Sequence, residues 1–180
     1  MKKKIVLLTF FILIAFIASV IAYCFIRSDM MFSLAVTFGT TFYHFAMRLL
    51  VGLSIDKKYH NEIDYTKSWF KERAFEQKFY ELIKVKKWKK KLPTFNPQDF
   101  NLKQRSIEEV IKVTCQAEIV HEIIMVLSFV PILFSIWFGS LDVFIITSCI
   151  SFLFDSIFVI TQRYNRPWLL KKLQSQLEKK

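Results

Sequence analysis

The stretch IVLLTFFILIAFIASVIAYCFI, Ile5–Ile26, holds no charged residue. At about 1.5 Å of rise per residue, a helix of that length covers about 33 Å, enough for a hydrocarbon core about 30 Å thick. Buried helices of soluble proteins rarely run so far without a charge. Three further apolar runs follow: Met30–Leu53, interrupted only by His44 and Arg48, then Val113–Phe138 and Leu141–Gln162. The expectation is an all-α, polytopic membrane protein forming a single domain over residues 1–180. Its four transmembrane helices pair into two hairpins, with a cytoplasmic interfacial helical region at 54–112 and a cytoplasmic tail at 163–180.

The net charge of +11 raises nucleic acid as a partner, but the placement of the cations argues against it. Lys2, Lys3 and Lys4 precede the first span, the region Ser54–Lys112 is rich in Lys and Arg, and Arg163, Arg166, Lys171, Lys172, Lys179 and Lys180 follow the fourth. The turns Arg27–Asp29 and Gly139–Ser140 hold one cation between them. This asymmetry follows the positive-inside rule, predicting cytoplasmic N- and C-termini in the cell membrane. The excess charge then serves topology and contact with anionic lipid. The first run is longer than the apolar core of a secretory signal, which predicts a retained anchor. Cys24, Cys115 and Cys149 form no pairing pattern and read as small apolar side chains.

Between the hairpins, Tyr65–Lys91 has neither Pro nor Gly and interleaves aromatics with cations. Phe75, Phe79, Leu82 and Ile83 share a helical face, predicting one helix lying in the membrane interface and stopping at Leu92–Pro93. Thr94–Leu102 reads as irregular chain. Ser106, followed by Glu108 and Glu109, predicts a helix start that runs into the third span.

The ionisable residues within the spans are unevenly placed. His44 and Arg48 are four apart on the second, Glu118, His121 and Glu122 share a face of the third, and Asp155 and Gln162 share a face of the fourth. Nearly all fall in the half nearer the expected cytoplasmic surface. Intramembrane charges are costly and usually face the bundle interior, so the expectation is one polar chamber near that surface. A buried His beside a carboxylate suits general-base work, because the acid orients the ring and stabilises its cation. Arg48 suits an anionic headgroup or carrier phosphate, and Lys84, Lys86, Lys87, Lys89, Lys90 and Lys91 suit a polyanionic ligand. Glu118-x-x-His121 is half of a di-iron carboxylate pattern and occurs once, so no metal site is expected.

Three ordered strings carry a resemblance. Phe75-Glu76, Tyr80-Glu81, Trp88-Lys89 and Leu92-Pro93 form the first, Ala117-Glu118-x-x-His121 the second, and Gln162-Arg163-Tyr164-Asn165-Arg166-Pro167 the third. Together they resemble a bacterial membrane family typified by glycosyl diaponeurosporenoate acyltransferase. Departures from the family pattern are Gln77-Lys78-Phe79 in place of a Gly-Arg element, Lys86 in place of Arg, and Trp168 after Pro167. The resemblance implies transfer of a fatty acyl group onto a hydroxyl of a glycolipid or other amphiphilic acceptor. It implies no tightly bound cofactor, with acyl-CoA or acyl-carrier protein as donor, and membrane lipids and the acceptor as partners. His121 and Glu118 would be catalytic. His44, Arg48, Glu76, Tyr80, Glu81, Trp88, Lys89, Asp155, Arg163, Asn165 and Arg166 would bind substrate. A lipid methyltransferase on a similar body plan, and a non-catalytic lipid-binding subunit whose polar cluster only joins helices, are competing readings. The sequence names no oligomeric state.

Overall fold

The computed structural model describes residues 2–92 and 97–179. Seven α-helices occur among them: α1 (Lys2–Ile26), α2 (Asp29–Tyr59), α3 (Glu76–Leu82), α4 (Val85–Trp88), α5 (Ile107–Leu127), α6 (Ser135–Phe138) and α7 (Leu141–Leu177). No strand occurs among the described residues. Four helical stretches, Lys3–Ile26, Asp29–Tyr59, Ile107–Phe138 and Leu141–Leu177, are long and apolar enough to cross a membrane. The protein is thus an all-helical, multi-pass membrane protein, and each stretch contains a run read from the sequence.

Local chemistry explains the ends of these helices. Arg27, in the left-handed region at φ 49°, turns the chain out of α1, and the Ser28 hydroxyl accepts the Met31 N–H at 3.3 Å to start α2. Gly139 and Ser140, at φ 65° and 48°, make the second turn. α5 begins with a capping box: Ser106 Oγ accepts the Glu109 N–H, and Glu109 Oε2 accepts the Ser106 N–H at 2.7 Å. Pro131 lies in a 3-10 turn, Val130–Phe134, between α5 and α6.

One expectation about continuity is corrected. Tyr65–Lys91 is not one helix. It breaks into a 3-10 turn at Ser68–Phe70, then α3, α4 and a further 3-10 turn at Lys89–Lys91. The α3–α4 break sits at Lys84, which is left-handed at φ 52°, ψ 44°. A left-handed non-glycine residue costs about 1–2 kcal/mol. Burial of Phe70, Tyr80 and Val85 opposes that cost, and the Trp88 indole N–H donates to the Ile83 carbonyl across the break at 2.8 Å. α7 runs unbroken from the fourth apolar run through Arg163–Trp168. It continues through Pro167, whose ring nitrogen cannot donate to the preceding turn. Residues 93–96, where the sequence predicts the helix stop and the irregular stretch begins, lie outside the described residues, and Pro97–Phe100 forms a 3-10 turn.

The chain packs as two compact units. One comprises Ser54–Glu122 and Ser156–Lys180; the other comprises Lys2–Leu53 and Ile123–Asp155. The first has a core of Ile63, Phe70, Ile107, Val110, Ile111, Cys115 and Leu169. In the second, Phe16 and Phe42 stack with centroids 6.5 Å apart. Gly39 permits that approach, since a Cβ there would lie 2.8 Å from the Phe16 ring. Phe10, Phe11, Ile14, Ile17 and Ile21 of α1 stay exposed on the protein surface, as side chains facing lipid do.

Candidate functional site

In the first unit, one carboxylate organises the polar interior. Glu118 is fully buried on α5. Arg163 Nη1 donates to its Oε1 at 2.6 Å, and Arg166 Nη2 donates to its Oε2. The two arginines lie three apart on α7, so both reach one side of α5. Arg163 also donates through Nε and Nη2 to Glu76 Oε1 of α3, at 2.9 and 2.6 Å. Its remaining N–H groups reach the Trp69 and Lys71 carbonyls at 3.1 and 3.0 Å. A guanidinium has five N–H donors, so Arg163 uses all of them within the protein. Arg166 is 2% exposed and donates further to the Phe70 carbonyl and Thr114 Oγ1, with its guanidinium over the Phe70 ring.

This clasp pairs two carboxylates with two guanidiniums, and each of their nitrogens and oxygens has at least one hydrogen-bond partner. A buried ion network tolerates desolvation only in such a geometry. It holds the irregular Trp69–Lys71 segment and α3 against α5 and α7. The Tyr80 hydroxyl extends it, donating to Glu76 Oε2 at 2.9 Å. Burial first, and then the Glu76 bond, push the Tyr80 hydroxyl well above its usual range.

His121, one turn from Glu118, stacks flat on Phe158 with centroids 4.7 Å apart, which fixes the plane of the imidazole. Glu122 Oε2 accepts the Trp69 indole N–H at 3.0 Å. Beside the clasp lies a cleft of about 970 Å³, whose lining includes Tyr80, Glu81, Lys89, Thr114, Tyr164 and Asn165. Lys89 Nζ donates to Asn165 Oδ1 at 2.5 Å and lies 4.3 Å from the Tyr164 ring centroid. Trp88 braces the α3–α4 break through its bond to Ile83.

The second unit holds the other sequence-derived candidates. Arg48 Nη2 pairs with Asp155 and donates to Ser151 Oγ at 2.8 Å, while Nη1 donates to the His44 carbonyl at 2.7 Å. Ser128 and Ser151 share a hydroxyl contact of 2.6 Å. His44 is 5% exposed, and neither ring nitrogen makes a hydrogen bond among the described residues. Within this unit the structure brings Arg48 together with Asp155; within the first it brings Glu118 together with Arg163, Arg166 and Glu76.

Sequence reasoning did not single out Thr114 or the carbonyls of Trp69, Phe70 and Lys71. Thr114 had a signal: it lies four residues before Glu118 on the same helical face. The carbonyls had none, because their direction is set by the broken chain around Ser68–Phe70. Among the described residues, no three His, Cys, Asp or Glu side chains group as metal ligands.

The sequence profile of the glycosyl-4,4'-diaponeurosporenoate acyltransferase family matches residues 66–175, more than half of the chain. That range contains the clasp, His121 and the cleft. Neither a curated protein nor a solved structure matches the chain.

Proposed function

The chain belongs to the glycosyl-4,4'-diaponeurosporenoate acyltransferase family, and from that premise we propose that it transfers a fatty acyl group from a thioester donor to a hydroxyl of a glycosylated, membrane-embedded acceptor on the cytoplasmic side. His121 takes the proton of the acceptor hydroxyl. The oxygen adds to the thioester carbonyl, the C–S bond breaks as the ester C–O bond remains, and the departing thiolate takes the proton from His121. A general base of this kind is worth about 10²–10⁴-fold in rate.

One observation carries the reading. The three strings that resemble the family are far apart in sequence yet meet through one guanidinium, since Arg163 of the last string bonds Glu76 of the first and Glu118 of the second. In this role Glu118, Arg163 and Arg166 are positioning residues. They hold α5 and α7 so that His121 and Phe158 keep their stack, leaving acceptor and donor to be bound by other groups. The cation distribution supports the cytoplasmic side, since Lys2–Lys4, Lys84–Lys91 and the basic end of α7 flank the apolar runs while the two short turns hold one cation.

The test uses the full chain in lipid nanodiscs with a long-chain acyl thioester and a glycosylated carotenoid carboxylate as acceptor. Mass spectrometry is expected to show an ester heavier than the acceptor by one acyl group less a hydrogen. Absence of that product with either a CoA or a carrier-protein thioester, from protein that remains folded, would overturn the assignment.

A further inference from the structure

We infer that the cleft beside the clasp is the donor cleft, and that Lys84, Lys86, Lys87 and Lys89 hold the phosphates of a coenzyme A thioester there. The inference rests on the acyl-transfer reading and deepens it by giving the donor a place and a class. The cleft, at about 970 Å³, lies at the upper end of the range for small-molecule sites, roughly 300–1,000 Å³. Its volume suits a nucleotide with an extended arm better than a single phosphate.

Charge points the same way. Four lysines line the cleft against two carboxylates, Glu72 and Glu81. Lys89 is half-buried, and its contacts among the described residues, the Asn165 amide oxygen and the Tyr164 ring, are both neutral. Burial first, then Lys90 and Lys86, push the Lys89 ammonium below its usual value. A crowded, partly desolvated cation without a carboxylate partner is compensated when a bound anion supplies the charge. The crowding is local to the run after the break: Lys90 is the chain neighbour of Lys89, and Lys86 lies about one helical turn before it. Trp168 also lines the cleft and is 58% exposed, offering a ring on which a nucleobase can stack.

The position suits delivery of the thioester. Thr114 lies on the cleft wall, and the rise of α5 puts His121 about 10 Å farther along the helix, seven residues on. An arm leading from phosphates at the rim to a thioester beside His121 would run along that distance.

Binding of coenzyme A itself, without an acyl group, is measured by calorimetry on the full chain in neutral-lipid nanodiscs. The variants are a triple K86Q/K87Q/K89Q and the matching triple Arg substitution. Coenzyme A should bind wild type, and the Gln triple should lose about tenfold or more in affinity, the weight of at least one charge-assisted contact. The Arg triple should retain binding, and dephospho-coenzyme A should bind more weakly than coenzyme A. Absence of binding to wild type, or equal binding by the Gln triple, overturns the donor cleft. So does a lysine-dependent preference for phosphatidylglycerol nanodiscs without coenzyme A binding, which would assign the lysines to lipid phosphate. Transfer assays separate this from the parent reading. If a carrier-protein thioester alone supports transfer and the Gln triple transfers normally, the cleft assignment fails while the acyltransferase reading stands. If coenzyme A binds as expected but no thioester supports transfer, the acyltransferase reading fails and the cleft stands only as a coenzyme A site, not as a donor cleft.

Discussion

The two polar clusters of this protein were drawn from the same kind of sequence signal, and they are built in opposite ways. Around Glu118 every donor of Arg163 is matched, both carboxylate oxygens are taken, and Glu76 adds a second counter-charge. Around Arg48 the ion pair with Asp155 is made, yet both His44 ring nitrogens, Arg48 Nε and Ser148 Oγ are buried without a hydrogen bond among the described residues. Buried polar groups in proteins are overwhelmingly paired. A completed network therefore marks a device for holding helices. An incomplete one carries a standing desolvation cost, and the two clusters should respond to mutation with opposite signs.

The largest effect is expected at the clasp. Glu118→Ala leaves Arg163 and Arg166 buried with one carboxylate between them, and removing one partner of a buried pair costs about 3–5 kcal/mol. Denaturant unfolding in detergent micelles should show that loss; a shift below about 1 kcal/mol would mean the clasp is not under load. His44→Met should go the other way. Replacing an unbonded buried imidazole by an apolar side chain of similar size removes a penalty of about 1–3 kcal/mol, so the thermal midpoint should hold or rise. A fall comparable to that of Glu118→Ala would show that His44 is bonded in the membrane and would dissolve the contrast.

Tyr80→Phe is a smaller probe of the clasp edge. It leaves Glu76 Oε2 without its hydroxyl donor, at about 1–3 kcal/mol. The pH dependence has a defined sign. Tyr80 is held above its ordinary value of 10.0 in the folded state, so its contribution is full below about pH 10 and is lost as pH rises beyond that. The stability gap between wild type and Tyr80→Phe should narrow only in the alkaline range; a gap that closes near neutral pH would contradict the buried Glu76 bond.

The membrane spans were legible because length and the lack of charge are enough to specify a helix in hydrocarbon. The Ser106–Glu109 cap was legible because its chemistry is local. The broken course of Tyr65–Lys91 was not. No Gly or Pro marks Lys84, and its left-handed turn is held by burial of Val85 and by the Trp88–Ile83 bond, neither of which a helical period reveals. At the site, Glu118 and Arg48 could be picked out as ionisable residues inside apolar runs. Their partners were less accessible: pairing Arg163 with Glu76 spans 87 positions, and periodicity reports only on neighbours within one helix. The shared strings placed these residues together as a family pattern, and the structure shows the bonds that connect them.

The central claim is that His121 reacts while the clasp only positions it. The direct measurement is the rate of ester formation by His121→Ala, with the unfolding midpoint taken on the same preparation. A fall of about 10²–10⁴-fold with a midpoint near that of wild type is the predicted result; transfer at close to the wild-type rate would contradict it.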